Sequence, residues 1–154
     1  MLRLSTKGRY GIRAMIELAK HPPETPVMMS AIAENQEISR KYLHALLTSL
    51  RAAGLVRSVR GAQGGYALTR PPPEITVEEI VEALEGPLSV VDCVVDPSVC
   101  HRAETCAAHC LWGDLSRKVK EHLAGITLAD LAREQEAPWL QTPTAPQPVP
   151  EERG

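Results

Sequence analysis

A glycine-rich segment between two strand-like stretches is the feature that most limits how this chain can fold. Residues 61–65 read Gly-Ala-Gln-Gly-Gly, and residues 55–60 and 66–69 on either side are rich in strand-forming side chains. Since glycine adopts turn conformations that other residues avoid, this pattern predicts a β-hairpin. No Lys-Ser or Lys-Thr pair closes the segment and no helix is expected after it, so it is not a phosphate-binding loop.

Three helices are predicted before the hairpin, at about 6–20, 29–36 and 39–53. Ser5 or Thr6 is a suitable N-cap for the first helix and Ser39 for the third, and Pro22 and Pro23 end the first helix because proline cannot continue one. Apolar side chains recur at helical spacing in the first and third helices, which gives each a face that can be buried. These side chains are Ile12, Met15, Ile16, Ala19, Leu43, Leu46, Leu47 and Leu50.

A second helical region is predicted after the hairpin. Residues 71–73 form a proline connector, and the sequence Thr-Val-Glu-Glu at 76–79 is a capping box that opens a fourth helix ending near Glu85. A long helix is expected at about 107–123, and Thr127 caps a last short helix at 128–136. The remainder, 137–154, is rich in proline and is expected to be a disordered tail.

The charges divide unevenly between the two halves of the chain. Residues 1–70 carry eleven Lys and Arg against four Asp and Glu, a balance of +7, whereas residues 71–154 carry six against fifteen, a balance of −9. A basic half joined to an acidic half indicates that the basic half binds a polyanion. A solvated surface with an accidental bias is the simpler alternative.

Three helices followed by a glycine-tipped hairpin are the element order of a winged helix-turn-helix DNA-binding domain, predicted here at 1–70. In this arrangement the third helix enters the major groove, with its leucines inward and its basic and polar residues largely outward. Arg60 at the hairpin tip is suited to a minor groove, where negative potential attracts guanidinium groups. The outward residues of the third helix are Arg40, Lys41, His44, Thr48 and Arg51.

All four cysteines lie within residues 93–110, which we call the cysteine loop. Six residues separate Cys93 from Cys100 and five separate Cys100 from Cys106, while His109 and Cys110 follow Cys106 at helical spacing. Thiolates, with histidine in some cases, are the ligands of iron–sulfur clusters, and this pattern favours such a site. Structural zinc, a thiol–disulfide switch without metal and ordinary buried cysteines stay open, although the short Cys-x2–4-Cys motif common in zinc sites is absent.

The long helix carries an apolar stripe that a single small domain does not need for its own core. Its members are Leu111, Leu115, Val119 and Leu123. We interpret residues 107–136 as a dimerisation helix with a short C-terminal helix, joined to the DNA-binding domain by a connector and fourth helix at 71–92. Packing of the stripe against the protein's own core is the alternative.

Five segments of the chain, residues 4–11, 32–34, 39–43, 50–56 and 59–66, contain motifs that resemble those of the Rrf2 family of bacterial regulators. The resemblance covers about residues 1–136. The resemblance implies a mainly α fold with a small β-hairpin wing, and a homodimer that binds palindrome-like operators in double-stranded DNA. It implies that the start of the third helix and the wing contact DNA. The residues expected to contact DNA are Lys7 in the first helix together with Ser39, Arg40, Lys41, Tyr42, His44, Arg60 and Gly61. His44 stands where members that regulate iron–sulfur assembly often have Glu, and imidazole and carboxylate favour different base edges.

The resemblance also bears on the cysteine loop. Cys93, Cys100 and Cys106 match the three cysteines of members that sense iron–sulfur supply, iron, nitric oxide or redox state, although the first gap is one residue longer than in some of them. His109 matches the histidine that completes the site in the iron–sulfur-assembly type, and Cys110 is the alternative fourth ligand. A [2Fe–2S] cluster is therefore expected in preference to a [4Fe–4S] cluster.

The resulting hypothesis is a DNA-binding transcription regulator whose operator binding is modulated by an iron–sulfur cluster. The first alternative is a small iron–sulfur electron-transfer protein that binds an acidic partner through its basic half. The second is a thiol–disulfide redox-sensing regulator without metal.

No motif of an enzyme and no small-molecule substrate site is recognised. No apolar run approaches the roughly 20 residues that span a bilayer, and no segment of signal-peptide length opens the chain. We therefore expect a cytoplasmic protein without a membrane partner.

Overall fold

The computed structural model describes residues 4–136 of the chain, and the expected disordered tail at 137–154 lies outside these residues. The described part is mainly helical with one antiparallel hairpin, which confirms the predicted fold class. The elements in chain order are α1 Thr6–Ala19, α2 Met29–Gln36, α3 Arg40–Ala52, β1 Val56–Val59, β2 Gly65–Leu68, α4 Val77–Glu85, α5 Asp92–Val95, α6 Ala107–Ala124 and α7 Leu128–Glu136.

Side-chain caps begin the helices where the sequence predicts them. The hydroxyl oxygen of Ser39 accepts from the Tyr42 amide at 3.2 Å, and that of Ser5 accepts from the Lys7 amide at 3.1 Å. At α4 the Thr76 oxygen accepts from the Glu79 amide at 3.2 Å, while the Glu79 carboxylate accepts from the Thr76 amide at 2.9 Å. Each cap satisfies amide groups that the first turn of a helix leaves unpaired.

The strand bounds differ slightly from the prediction. Pairing runs from Val56 opposite Leu68 to Val59 opposite Gly65, so the first strand, predicted at 55–60, was one residue too long at each end, and the second, predicted at 66–69, is shifted by one residue to 65–68. The Leu55 amide donates to Leu50 at the end of α3 rather than to a strand. A bond of 3.0 Å from the Gly64 amide to the Gly61 carbonyl closes the turn before Arg60 can pair.

The hairpin is fixed to the segment between α1 and α2. Val27 and Tyr66 exchange two backbone hydrogen bonds, of 2.8 and 2.9 Å, which extends the hairpin by one bridge. A Cβ atom at Gly65 would lie 2.2 Å from the Val27 carbonyl oxygen, and one at Gly64 would lie 2.2 Å from the Val59 carbonyl oxygen. Both glycines are therefore needed for the backbones to approach so closely.

One hydrophobic core lies around α1, which contacts α2, α3, α4, α7 and β2. The inward leucines of α3 are fully buried, as predicted, and so is Met15 of α1. Ile16 is nearly fully buried, whereas Ile12 and Ala19 are only partly buried. The residues of α3 in this core are Leu43, Leu46, Leu47 and Leu50.

A buried carboxylate joins α1 to α2. Glu17 is only 3% exposed, and its oxygens accept hydrogen bonds of 2.8 Å from both Asn35 and Gln36 and 3.0 Å from Lys20. Burial by itself raises the pKa of Glu17, but the hydrogen bonds from Asn35, Lys20 and Gln36 outweigh it and lower the pKa below its usual value of 4.5. The charged carboxylate is thus part of the native packing at neutral pH.

A close helix contact lies between α1 and the last turn of α4. A Cβ atom at Gly11 would lie 2.0 Å from the Leu84 Cδ1 atom, and one at Gly8 would lie 2.8 Å from a carboxylate oxygen of Glu85. Two glycines on one face of α1 therefore leave the space that Leu84 and Glu85 occupy.

The substitution Gly11→Ala tests this contact. Although Ala is the better helix former, the added methyl group overlaps Leu84, and we expect the free energy of unfolding to fall by about 1–3 kcal/mol. Gly113→Ala in α6 is the matched control, since its Cβ would meet nothing within 4 Å. It should raise the free energy of unfolding by roughly 0.5–1 kcal/mol. Urea unfolding followed by circular dichroism measures both, and equal stabilisation by the two variants contradicts the close contact.

Candidate nucleic-acid interface and cysteine loop

One face of α3 is open to solvent and carries the predicted DNA-contacting residues of that helix. Arg40, Lys41 and His44 are exposed along this face, and Ser39 is exposed at its start. Tyr42 points partly inward and is half-buried. The first turn of α3 thus presents cations and a capped helix start on one surface, an arrangement that suits a phosphate backbone.

The start of α1 is connected to the start of α3. The hydroxyl groups of Thr6 and Tyr42 share a hydrogen bond of 2.9 Å, and the rings of Tyr10 and Tyr42 pack edge to face at 6.0 Å. The guanidinium of Arg13 lies 5.2 Å from the centre of the Tyr10 ring. Lys7, in the first turn of α1, is exposed beside these contacts. Sequence reasoning identified Lys7 and Tyr42 but not Thr6, because this pair is separated by 36 positions.

Arg60 and Gly61 lie at the exposed tip of the hairpin. Gly61 has φ +113°, a conformation that favours glycine. The hairpin is also joined to α3, because the Arg51 guanidinium donates to the Ser58 hydroxyl at 3.3 Å. The structure therefore brings Arg60 to solvent on an element that α3 contacts close to the turn, at Ser58.

The cysteine loop contains several short helical segments. It includes the end of α5, the 3-10 turns Pro97–Val99 and Ala103–Thr105, and the start of α6. Cys93 lies in α5, Cys100 ends the first 3-10 turn, and Cys106 is the N-cap of α6. These three thiols are half-buried and free, whereas Cys110 is exposed.

His109 differs from its neighbours in the first turn of α6. Its Nδ1 atom is buried and has no hydrogen-bond partner within the described chain. A buried ring nitrogen without a partner is costly and calls for an unseen partner. Within residues 4–136, however, no three His, Cys, Asp or Glu side chains are close enough to hold a metal ion. The structure places the predicted ligands in one loop without bringing them together.

The segment just before the cysteine loop is attached to α6 through Ser116, which sequence reasoning missed. Ser116 is 4% exposed; its hydroxyl oxygen accepts from the Val90 amide at 3.2 Å and donates to the Trp112 carbonyl at 2.7 Å. Lys120, one turn further on, pairs with Glu82 of α4 at 2.9 Å. This face of α6 therefore packs on its own subunit.

The predicted apolar stripe of α6 is largely left open. Leu111 is 57% exposed and Val119 is 37% exposed, while Leu115 and Leu123 are half-buried. Trp112, which the sequence analysis did not single out, is also 37% exposed. Leu111 and Val119 are thus not covered by the core of this subunit. No helix within the described part of the chain is both long enough and apolar enough to cross a membrane.

The chain is similar to known proteins in sequence and in fold. Residues 4–134 match the family described as "Rrf2: Iron-dependent Transcriptional regulator". The chain is 41% identical to the HTH-type transcriptional regulator IscR of Erwinia tasmaniensis over 135 residues, which cover 88% of this chain and 81% of that protein.

Two solved structures are similar in both sequence and fold. One is described as "T. potens IscR", with a TM-score of 0.71, 40% identity and coverage of 94% of each chain. The other is CymR, described as the global cysteine regulator of B. subtilis, with a TM-score of 0.70, 45% identity and coverage of 86% of this chain and 98% of that one. These relatives are transcriptional regulators rather than enzymes, and this chain belongs to the Rrf2 family of transcriptional regulators.

Proposed function

We propose that this regulator binds operator DNA as a homodimer and that an iron–sulfur cluster in the cysteine loop modulates the binding. The observation that carries the cluster is the buried Nδ1 atom of His109, which has no hydrogen-bond partner within residues 4–136 and lies in the first turn of the helix whose N-cap is the half-buried Cys106. An IscR among the relatives supports the same conclusion. The alternative of a small electron-transfer protein has no support among these relatives.

The residues of the loop fit an iron–sulfur cluster chemically. Cys93, Cys100 and Cys106 supply thiols that are neither fully buried nor paired in disulfides, and His109 supplies a nitrogen donor. Three thiolates and one imidazole suit a [2Fe–2S] centre. When bound, such a cluster would supply a group that can change its redox state or dissociate. Cys110 is exposed on the next position of the helix, which disfavours it as the fourth ligand.

The surface proposed for DNA combines the exposed face of α3, the start of α1 and the hairpin tip. Arg40 and Lys41 lie at the capped start of α3, where they favour phosphate contacts that set the register. His44, one turn along, and Arg60 on the hairpin are exposed and suited to reading base edges or groove shape. The full set is Lys7, Ser39, Arg40, Lys41, Tyr42, His44, Arg60 and Gly61.

A thiol switch without metal is the second candidate. Its support is the similarity to CymR, a regulator described by its relation to cysteine, together with four free cysteines in one loop. Such a switch acts by forming a disulfide or another reversible oxidation product rather than by binding iron. Iron and sulfide analysis of anaerobically purified protein separates the two candidates.

The variant Arg60→Ala tests the DNA surface. If Arg60 contacts a base edge or a narrow groove, its loss should weaken specific binding by about 1–3 kcal/mol. Affinity for a duplex selected from a random pool is measured by fluorescence anisotropy at several salt concentrations. The logarithm of the affinity should fall as the logarithm of the salt concentration rises, because phosphate contacts release counterions. Arg133→Ala on α7 removes the same charge elsewhere and should bind almost as wild type does. Equal losses in both variants contradict a specific contact at Arg60.

The variant Leu111→Asp tests the dimer. Because Leu111 is 57% exposed in the single subunit, an aspartate there should leave the fold intact but bury an unpaired charge at a helix–helix interface. We expect monomers in sedimentation velocity at micromolar concentration, with an unchanged far-UV spectrum. Met28→Asp replaces another exposed apolar residue outside α6 and should stay dimeric. A dimeric Leu111→Asp protein shows that the stripe is not the interface.

The pair His109→Ala and Cys110→Ala tests the fourth ligand. Under anaerobic conditions we expect His109→Ala to lose the cluster or to change its absorbance and Mössbauer spectra, because one iron loses a ligand. Cys110→Ala should retain the wild-type spectra and the wild-type iron and sulfide content. The reverse pattern overturns the assignment in favour of Cys110.

A further inference from the structure

The carboxylate of Glu85 is one direct polar connection between the second half of the chain and α1. Its Oε1 atom accepts a hydrogen bond of 2.5 Å from the Ser5 hydroxyl and one of 2.9 Å from the Gly8 amide. Glu85 is the last residue of α4, whereas Ser5 and Gly8 are the N-cap and first turn of α1. The bonds therefore join residues about eighty positions apart, across the glycine contact described above.

The same turn of α1 reaches the DNA-facing helix. Thr6, between the two residues that Glu85 holds, shares the hydrogen bond of 2.9 Å with the Tyr42 hydroxyl. Tyr42 lies in the first turn of α3, and its amide in turn donates to the Ser39 cap. A shift of the α1 start therefore changes the position of the α3 start, because the two are joined by side-chain contacts.

On its other side Glu85 is close in sequence to the cysteine loop. Gly86 follows it with φ +87°, and only a few residues later the Val90 amide is held by the Ser116 hydroxyl on α6. Cys93 then lies three positions beyond Val90. The last turn of α4 and the cysteine loop are thus joined by a short piece of backbone that is itself attached to α6.

We propose that Glu85 is the positioning residue through which the state of the cysteine loop sets the position of the DNA-facing helix. This inference rests on the proposed function, since it needs a loop whose state changes DNA binding. Glu85 does not touch DNA in this scheme. It holds the start of α1 in one place relative to α4, and Thr6 and Tyr42 carry that position to α3. Energetic coupling between two sites requires such an element, one that both sites can bias.

The experiment measures the ratio of operator affinities between cluster-loaded and cluster-free protein. The full chain is used as wild type, Glu85→Ala and Glu85→Gln, with a duplex selected from a random pool by the wild type. We expect the wild type to show a ratio of roughly fivefold or more between the two states. Glu85→Ala should bring the ratio close to one. Glu85→Gln should restore most of it, because the amide oxygen can still accept from Ser5 and Gly8.

A matched control comes from the same helix. Glu82→Ala also removes a carboxylate from α4, but Glu82 pairs with Lys120 of α6 and not with α1, so the ratio should stay near the wild-type value. Hydrogen exchange of the Gly8–Tyr10 amides in cluster-free protein gives a second readout. It should be faster in Glu85→Ala than in Glu82→Ala, because only the first loses the acceptor of the Gly8 amide.

The outcomes separate this inference from the proposed function. If the wild type binds equally in both states, the proposed regulation fails and the inference fails with it. If the wild type shows the ratio and Glu85→Ala keeps it, the inference alone is overturned, even when absolute affinity falls, because a purely structural residue weakens both states alike. An equal loss of the ratio in Glu82→Ala also overturns it.

Discussion

The contact between α1 and the last turn of α4 depends on the absence of side chains at Gly8 and Gly11. Helices pack at a distance set by the side chains at their crossing, and two glycines on one face allow a shorter distance. The space accommodates Leu84 in the core and the carboxylate of Glu85 at the edge of the crossing. Since α1 also contacts α2, α3, α7 and β2, this crossing fixes how the cysteine-bearing half lies against the DNA-facing half.

Local signals in the sequence were sufficient for most of the fold. The caps at Ser5 and Ser39 and the box at Thr76 are formed by side chains and amides within three positions of each other, so they can be read from the chain directly. The strand ends, the Val27–Tyr66 bridge and the Glu85 contacts could not be predicted in this way. They depend on which residues meet across long separations, and a linear pattern carries no such information.

More of the candidate DNA-binding surface than of the cysteine loop could be predicted from the sequence. An exposed basic face follows from helical periodicity, so the outward position of Arg40, Lys41 and His44 agrees with the pattern. Cysteine spacing indicated one loop, but the separations between thiols depend on tertiary contacts such as the Ser116 anchor, for which the sequence has no signal. The burial of His109 Nδ1 likewise depends on packing. It distinguishes His109 from the exposed Cys110 as a candidate fourth ligand, which the sequence spacing cannot do.

The hairpin is held one residue pair away from its turn, at the Ser58–Tyr66 pair, by the two Val27–Tyr66 hydrogen bonds and by the Arg51–Ser58 contact. A segment restrained in this way has already lost most of its conformational entropy in the free protein. Ordering a loose loop on association would instead reduce the net affinity. The hairpin tip is therefore preorganised: its encounter with a duplex requires little more than the freezing of the Arg60 side chain, and coupled folding of this element should contribute little to the heat-capacity change of binding.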